Sequence, residues 1–244
     1  MERIGIFDSG IGGLTTLCSI QKALGGGDYV YLADDVSAPF GTKSEVELMR
    51  IGSYGVETLV GLGCKHIVLA CNTLTATCKQ KLVERFNVNI IGTEPALKPA
   101  VSECTKVALL ATPSTIASKR VQELLLTCRG QVTCYPHYNL AGIIEGVSPD
   151  WKIMKEYIRK NCHYLDGYDG LVLGCTHYVH IKSVFEETFP HLKVFDGNDG
   201  VGRRVLSFTG KASGGSVKVY TTSRCGEERY MRILKEYKKI AKNV

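Results

Sequence analysis

The sequence predicts an α/β protein of two similar domains, each a largely parallel sheet covered on both faces, with the two related by a pseudo-dyad. Three observations lead to this prediction. Short β-branched runs alternate with longer amphipathic segments, the runs are apolar throughout, and one segment recurs further along the chain. Continuously apolar strands separated by helices are typical of parallel sheets with helices on both faces.

The strand candidates are runs of about four or five residues. They include Ile4–Phe7, Tyr29–Ala33, His66–Ala70, Asn89–Ile91, Val107–Ala111, Gln131–Tyr135, Gly170–Leu173 and Lys193–Phe195. Amphipathic spacing between them predicts helices over Ser44–Gly61, Thr75–Phe86 and Ser114–Thr127. The tail holds a further strand candidate, Val217–Thr221, and a last helix that is compatible with either half.

The repeat joins two cysteines at the ends of similar strands. Segment 66–73 resembles segment 169–177, and Cys71 and Cys175 are 175 − 71 = 104 positions apart. The same offset carries Asp8 to Thr112 and Tyr31 to Tyr135. Three matches at one spacing indicate a duplication. We expect a first domain over 1–93 plus 207–244 and a second over 94–206.

Polar residues follow the strands of both halves. Ligands of open α/β sheets bind beyond the carboxyl ends of the strands. The candidates at those ends are Asp8, Ser9, Cys71, Asn72, Thr73, Thr112, Thr115, Cys175, Thr176 and His177. If the halves face each other, each contributes one cysteine from opposite sides of a single site.

Two opposed thiols suit racemisation, in which one group removes a proton from a tetrahedral carbon and another returns it from the other face. A thiol titrates near pH 8.5, so a modest shift would bring it within reach of neutral pH. Both cysteines stand at strand-to-helix turns, where helix N–H groups favour the thiolate.

Other interpretations of these residues stay open. In one, Cys71 and Cys175 are ordinary buried thiols in two similar strands. In another, Cys175 is a nucleophile with His177 as its base, which leaves Cys71 without a role. Cys175, His177 and His180 also form a sparse set of metal-ligand types. The glycine-rich turn after Asp8 lacks the nucleotide-binding spacings and favours backbone approach to a small carboxylate, or a simple helix cap at Asp8 and Ser9.

Composition bounds the function class. The ten cysteines contain no CxxC pair, and the net charge of +6 is spread along the chain, which is not a nucleic-acid signature. No run approaches the roughly 20 apolar residues of a membrane span. The N-terminus opens on a strand without a signal-like segment. We expect a cytoplasmic protein with no nucleic-acid or membrane partner.

Four segments together resemble the aspartate/glutamate racemase superfamily. They are the segments at 4–14, Pro39–Lys43, Ala70–Thr73 and Gly174–Tyr178; weaker matches lie at Glu94-Pro95, 112–116 and 220–222. The resemblance follows the order and spacing of nearly the whole chain. It implies interconversion of L- and D-glutamate without pyridoxal phosphate or metal, and a supply of D-glutamate for peptidoglycan.

The resemblance also implies roles for single residues. Cys71 would take the proton from D-glutamate and Cys175 from L-glutamate, with Asp8, His177 and Glu145 assisting. The substrate would be held by Asp8, Ser9, Pro39, Phe40, Gly41, Asn72, Thr73, Thr112, Thr115, Thr176 and His177. A homodimer is implied too. Alternatives within this picture are a racemase of aspartate or another amino acid and a racemase-like module that binds without catalysis.

The chain departs from the family pattern around the substrate. Phe40 stands where the family usually has tyrosine, so any contact through a phenol hydroxyl is lost while a backbone contact survives. The segment 34–38 lacks a usual arginine, and Gly197 replaces a usual serine. None of these changes affects the thiols.

Overall fold

The computed structural model describes residues 2–147, 152–223 and 226–242. Two separate parallel sheets organise these residues. The first sheet has the order β4-β3-β1-β2-β9, and the second has the order β6-β5-β7-β8. The nine strands are β1 (Arg3–Asp8), β2 (Tyr29–Ala33), β3 (Cys64–Leu69), β4 (Asn89–Gly92), β5 (Val107–Ala111), β6 (Val132–Pro136), β7 (Gly170–Gly174), β8 (Lys193–Phe195) and β9 (Val217–Thr221).

Helices connect the strands and cover both sheets. They are α1 (Gly13–Leu24), α2 (Glu45–Gly61), α3 (Asn72–Arg85), α4 (Leu97–Glu103), α5 (Pro113–Ala117), α6 (Lys119–Leu126), α7 (Leu140–Val147), α8 (Lys152–Asn161), α9 (Thr176–Val179), α10 (Lys182–Thr188), α11 (Asn198–Thr209) and α12 (Glu227–Lys242). None of the helices in the described ranges is long and apolar enough to span a bilayer.

Each sheet has a hydrophobic core on either face, which confirms the predicted doubly covered architecture. In β1, Ile6 packs into a core shared with α1, α11 and α12, whereas its neighbour Phe7 packs into a core shared with α2 and α3. In β5, Leu110 and Leu109 divide in the same way between two cores of the second sheet. Successive side chains of a strand point to opposite faces, so continuously apolar strands need cover on both.

The two sheets repeat one strand order, with β8-β7-β5-β6 matching β4-β3-β1-β2. Their registers refine the predicted offset. In the first sheet Leu69 pairs with Phe7, and in the second Leu173 pairs with Leu110. The offset is therefore 173 − 69 = 104 for β3 and β7, but 110 − 7 = 103 for β1 and β5. By register Asp8 corresponds to Ala111 rather than Thr112.

The same correction applies to the second strand of each half, because Tyr31 pairs with Ile6 and Cys134 pairs with Leu109. Since 109 − 6 = 103, Tyr31 corresponds to Cys134 rather than to Tyr135. The predicted matches at 104 for these two strands were one residue out of register. The repeated strand order still indicates a duplication.

One predicted helix is wrong as a single element. The segment Ser114–Thr127 forms two helices, α5 and α6, because Ser118 leaves the helical region with ψ 141°. The Ser118 hydroxyl then accepts a hydrogen bond from the Val121 N–H at 3.3 Å and caps α6. The prediction for Thr75–Phe86 started too late, since α3 begins at Asn72, directly after Cys71.

The C-terminal tail joins the first sheet, where β9 pairs with β2 in parallel. Helix α11 packs on α1, and its Val201 and Val205 lie in the first core. Asn198 strengthens this contact by accepting from Thr16 at 2.7 Å and donating to Thr15 at 3.0 Å. The expected boundary at 206/207 falls inside α11, so we propose that the first domain resumes at residue 198.

Candidate active site

Cys71 and Cys175 occupy equivalent positions in the two halves. Each follows the third strand of its own repeat, β3 or β7, and each is the residue before a helix, α3 or α9. Both thiols are buried, at 6% and 8% exposure. They lie near enough for the charge of the Cys175 side chain to act on Cys71.

Burial raises the pKa of the Cys71 thiol well above its ordinary value, and the negative charges of Asp8 and Cys175 add to that shift. The backbone N–H groups of Leu74 and Thr73 lower the pKa, but by less. The expectation that the helix terminus brings this thiol close to neutral pH is therefore wrong, because desolvation outweighs the helix N–H groups. The raised pKa favours the protonated thiol at Cys71.

Asp8 is fully buried at the end of β1 and faces residues of both halves. Its Oδ2 accepts a hydrogen bond from the Gly13 N–H at 2.8 Å, which caps the first turn of α1. Its Oδ1 accepts from the Thr176 hydroxyl at 3.4 Å. Burial raises the pKa of Asp8 to about 6, against the opposing effect of His177. The carboxylate thus has both a capping contact and a place among the site residues.

His177 and Glu145 form an acid–base pair beside Cys175. The Nε2 of His177 lies 2.8 Å from a Glu145 carboxylate oxygen, which also accepts from the Ile11 N–H at 3.0 Å. Burial lowers the pKa of His177, but hydrogen bonds with Cys175 and Glu145 outweigh it and raise the pKa well above its ordinary value. The imidazole therefore favours its charged form next to the Cys175 sulfur.

The glycine-rich turn allows side chains of the second half to approach β1. A Cβ on Gly10 would lie 2.4 Å from Glu145 Oε2, and a Cβ on Gly12 would lie 2.4 Å from Thr176 Oγ1. Tyr31 fixes the turn by donating its hydroxyl to the Gly10 carbonyl at 2.6 Å. These glycines let the two halves close on each other, a role that the sequence analysis gave instead to a ligand.

Three buried threonine hydroxyls join the halves on the Cys71 side. Thr73 at the start of α3 lies 2.9 Å from Thr112 and 3.0 Å from Thr115, which themselves are 2.8 Å apart. Each hydroxyl both donates and accepts, so this triangle is a ready source of hydrogen bonds for a carboxylate. Asn72, next to Cys71, donates its amide to the Thr93 carbonyl at 3.2 Å.

The segment around Phe40 contributes backbone rather than a polar side chain. Phe40 is 2% exposed and packs at 6.3 Å from the Phe7 ring. The Gly41 carbonyl accepts from the Ser114 hydroxyl at 2.6 Å, and a Cβ on Gly41 would lie 2.8 Å from Thr112. Gly41 therefore touches the second half, whereas Pro39 is exposed. Ser9, by contrast, is buried beside Asp8 at 6% exposure.

His180 does not complete a metal site with Cys175 and His177. Its Nε2 lies 2.9 Å from the Ile11 carbonyl, and its Nδ1 lies against the Tyr237 hydroxyl. Within the described ranges no group of three or more His, Cys, Asp or Glu side chains is placed to hold a metal ion. The two ring nitrogens of His180 thus contact the turn at Ile11 and the last helix, α12.

Arg229 is the site neighbour that the sequence analysis missed. It lies on α12 and donates from Nη1 to the Glu145 carboxylate at 3.0 Å and from Nη2 to the Glu145 backbone carbonyl. The sequence predicts a last helix but assigns it no part in the site, and no motif sets Arg229 apart from the other cations of that helix. Only the fold of the tail against the first sheet reveals the contact.

Known proteins resemble this chain in sequence and fold. The glutamate racemase of Halothermothrix orenii is 36% identical, covering 96% of this chain and 99% of its own. The structure of Escherichia coli glutamate racemase with L-glutamate and the activator UDP-MurNAc-Ala matches with a TM-score of 0.85 at 24% identity, covering 97% and 95% of the two chains. That likeness shows the shared fold.

A Francisella tularensis glutamate racemase solved with D-glutamate matches with a TM-score of 0.79 at 25% identity, covering 96% of this chain and 94% of its own. The family model described as Asp/Glu/hydantoin racemase matches residues 19–201, which is most of the chain. With two equivalent sheets, a buried cysteine at the end of each and this match, the chain belongs to the Asp/Glu/hydantoin racemase family.

Proposed function

We propose that the protein interconverts L- and D-glutamate by a two-base proton transfer between Cys71 and Cys175. The observation that carries the proposal is the equivalence of the two thiols, each buried at the end of the third strand of its repeat. One thiol from each half is the arrangement that a substrate carbon held between the halves requires. The names of the relatives favour glutamate as the substrate.

The reaction exchanges a proton at one carbon. The Cys175 thiolate removes the α-proton of L-glutamate, and Cys71, protonated at rest, delivers its proton to the opposite face to give D-glutamate. The reverse reaction runs with the roles exchanged. Asp8 beside Cys71 and His177 beside Cys175 make the two sides chemically different, since one neighbour is a carboxyl and the other an imidazole.

The α-proton of an amino acid is far less acidic than a thiol, so the developing negative charge on the carboxylate needs hydrogen-bond donors. The threonine triangle of Thr73, Thr112 and Thr115 and the N–H groups at the starts of α3 and α9 supply them. Losing one such donor costs about 3 kcal/mol in acyl transfer, and a similar scale applies here. Burial of both thiols keeps water from the carbanionic intermediate.

We further propose a cytoplasmic homodimer that supplies D-glutamate for peptidoglycan. The nine cysteines within the described ranges are free thiols, as the reducing cytoplasm maintains them. Family membership supports the assembly and the metabolic role. Glutamate binds across the halves, with Asp8, Ser9, Gly41, Asn72, Thr73, Thr176 and His177 around its ammonium and carboxylates.

Circular dichroism of each enantiomer with purified protein tests the proposal. We expect L- and D-glutamate both to lose optical activity, and the Cys71→Ser and Cys175→Ser variants to lose at least 100-fold in turnover. Cys134→Ser, a partly buried thiol on β6, is the matched control and should stay active. Turnover of aspartate alone would overturn the substrate assignment, and inactivity of the wild type with every amino acid would leave only a binding module.

A further inference from the structure

We infer that Arg229, on the C-terminal helix, is a positioning residue that fixes Glu145 and through it the His177–Cys175 acid–base pair. The inference rests on the proposed racemase function and deepens it. Arg229 would touch no substrate atom. It acts by holding a carboxylate that the imidazole beside Cys175 depends on.

The contacts run in an unbroken series from α12 to the thiol. Arg229 holds Glu145 at two points, the carboxylate Oε1 at 3.0 Å and the backbone carbonyl. The second carboxylate oxygen is 2.8 Å from His177 Nε2. The His177 imidazole also forms a hydrogen bond with the Cys175 side chain. A two-point guanidinium contact fixes both position and orientation, which a single contact cannot do.

The series crosses between the halves of the chain. Glu145 belongs to α7, which covers the second sheet, whereas α12 packs on α1 and β9 of the first. Tyr230 and Ile233 anchor α12 in the first core, and Tyr237 contacts His180. Arg229 is therefore held by one half and holds a residue of the other, so the acid–base pair is complete only when the halves are closed.

The ion pair between Glu145 and Arg229 is partly shielded from water, which strengthens its effect on the carboxylate. The side chain of Glu145 is 26% exposed and that of Arg229 is 35% exposed. The charged and titratable groups that face the Glu145 carboxylate are Asp8, Tyr31, His177, His180, Arg229 and Tyr230. Burial raises the pKa of Glu145, but hydrogen bonding and charge from His177, the Ile11 N–H and Arg229 lower it overall. Removing Arg229 removes one of the groups that keep the carboxylate charged.

Kinetics of Arg229→Ala and Arg229→Lys, with Arg232→Ala as an exposed control on the same helix, test the inference. We expect Arg229→Ala to lose at least 10-fold in kcat, and its acidic limb of kcat/KM to move to higher pH. Arg229→Lys should recover part of both, because it keeps the charge but loses one contact. Arg232→Ala should match the wild type.

Isotope effects locate the defect on one side of the site. The equilibrium constant of racemisation is one, so kcat/KM must fall equally in the two directions. If proton removal by Cys175 is slowed, the effect of α-deuteration on kcat/KM rises for L-glutamate and falls for D-glutamate. A merely structural role for Arg229 would reduce activity without this asymmetry or the change in pH profile.

The outcomes separate the two claims. Failure of the wild type to racemise glutamate contradicts the proposed function. An active wild type whose Arg229→Ala variant keeps its pH profile and symmetric isotope effects contradicts the positioning role alone. Thermal unfolding of each variant shows whether it remains folded at the assay temperature, and Arg229→Lys provides the test if Arg229→Ala does not.

Discussion

Gly12 and Thr176 belong to opposite halves of the chain, and a methyl group on Gly12 would lie 2.4 Å from the Thr176 hydroxyl oxygen. The same methyl group would lie 2.8 Å from Nδ1 of His177. The absence of a side chain at Gly12 therefore sets how closely the halves meet at the thiols. Tight approach of two catalytic groups is what a transfer between opposite faces of one carbon needs.

Gly12→Ala is expected to lower kcat/KM by about 100-fold, because a displacement of roughly 1 Å at reacting groups has an effect of that size. The matched control is Gly200→Ala in α11, where a Cβ would meet no atom of the described residues within 4 Å. Replacing that helical glycine should stabilise the protein by about 0.5–1 kcal/mol and leave kinetics unchanged. Both variants are measured by steady-state kinetics and urea unfolding. Equal activity of Gly12→Ala and the wild type would show that catalysis does not need the close approach of the two halves at Gly12.

Asp8 makes stability depend on pH. Burial raises its pKa in the folded state from 3.8 to about 6. Between these values the folded protein holds a proton that the unfolded chain has released, so stability falls as pH rises through this window. Asp8→Asn stays uncharged throughout. Relative to the wild type, it should gain up to about 3 kcal/mol in the free energy of unfolding between pH 4 and pH 7.

Chemical unfolding at several pH values checks the Asp8 prediction. The amide oxygen that Asp8→Asn introduces would still accept from the Gly13 N–H, so the helix cap is kept. Parallel stability curves for the two proteins across the window would mean that the carboxyl is not desolvated as the structure indicates. The same variant should lower the pKa of Cys71, since the Asp8 charge raises it.

The threonine triangle is expected to support both stability and substrate binding. Thr115→Val keeps the shape of the side chain but leaves Thr73 and Thr112 each without one partner. Removing a hydrogen-bonded buried hydroxyl costs about 1–2 kcal/mol. KM for glutamate should rise as well, because the substrate carboxylate loses one of the three hydroxyl donors proposed to hold it.

Thr188→Val is the control for that substitution, because the Thr188 hydroxyl donates to the Val184 carbonyl of its own helix, α10. Its stability should change by less than about 0.5 kcal/mol, and its KM should be that of the wild type. An unchanged m-value in urea unfolding shows that a variant has lost stability without a change in the surface exposed on unfolding. Equal KM values for Thr115→Val and the wild type would remove the triangle from the substrate site.

Much of the fold follows from local pattern. Tyr29–Ala33, Val107–Ala111 and Lys193–Phe195 match observed strands residue for residue, because each is a short β-branched or apolar run between polar turns. The break at Ser118 depends on a cap geometry that hydrophobic spacing does not contain. The one-residue difference between offsets 103 and 104 is a matter of register, which pairing sets and sequence similarity does not.

The residues of the candidate site at the strand ends could be predicted from the sequence, whereas the contact from the last helix could not. Strand-end residues such as Cys71, Thr112 and Thr176 follow from the rule that ligands bind at the carboxyl ends of parallel strands. Arg229 lies more than fifty residues after Cys175, on a helix whose place depends on β9 pairing with β2. The high pKa of Cys71 depends on how completely the halves bury it, which is a tertiary property.

Deuterium incorporation tests the central claim, that Cys71 and Cys175 act from opposite faces of one carbon. L-glutamate is converted to a small extent in deuterium oxide, and both enantiomers are then isolated. We expect an α-deuterium in nearly all of the D-glutamate and almost none in the remaining L-glutamate, with the reverse labelling from D-glutamate. Equal labelling of substrate and product from the start would contradict it.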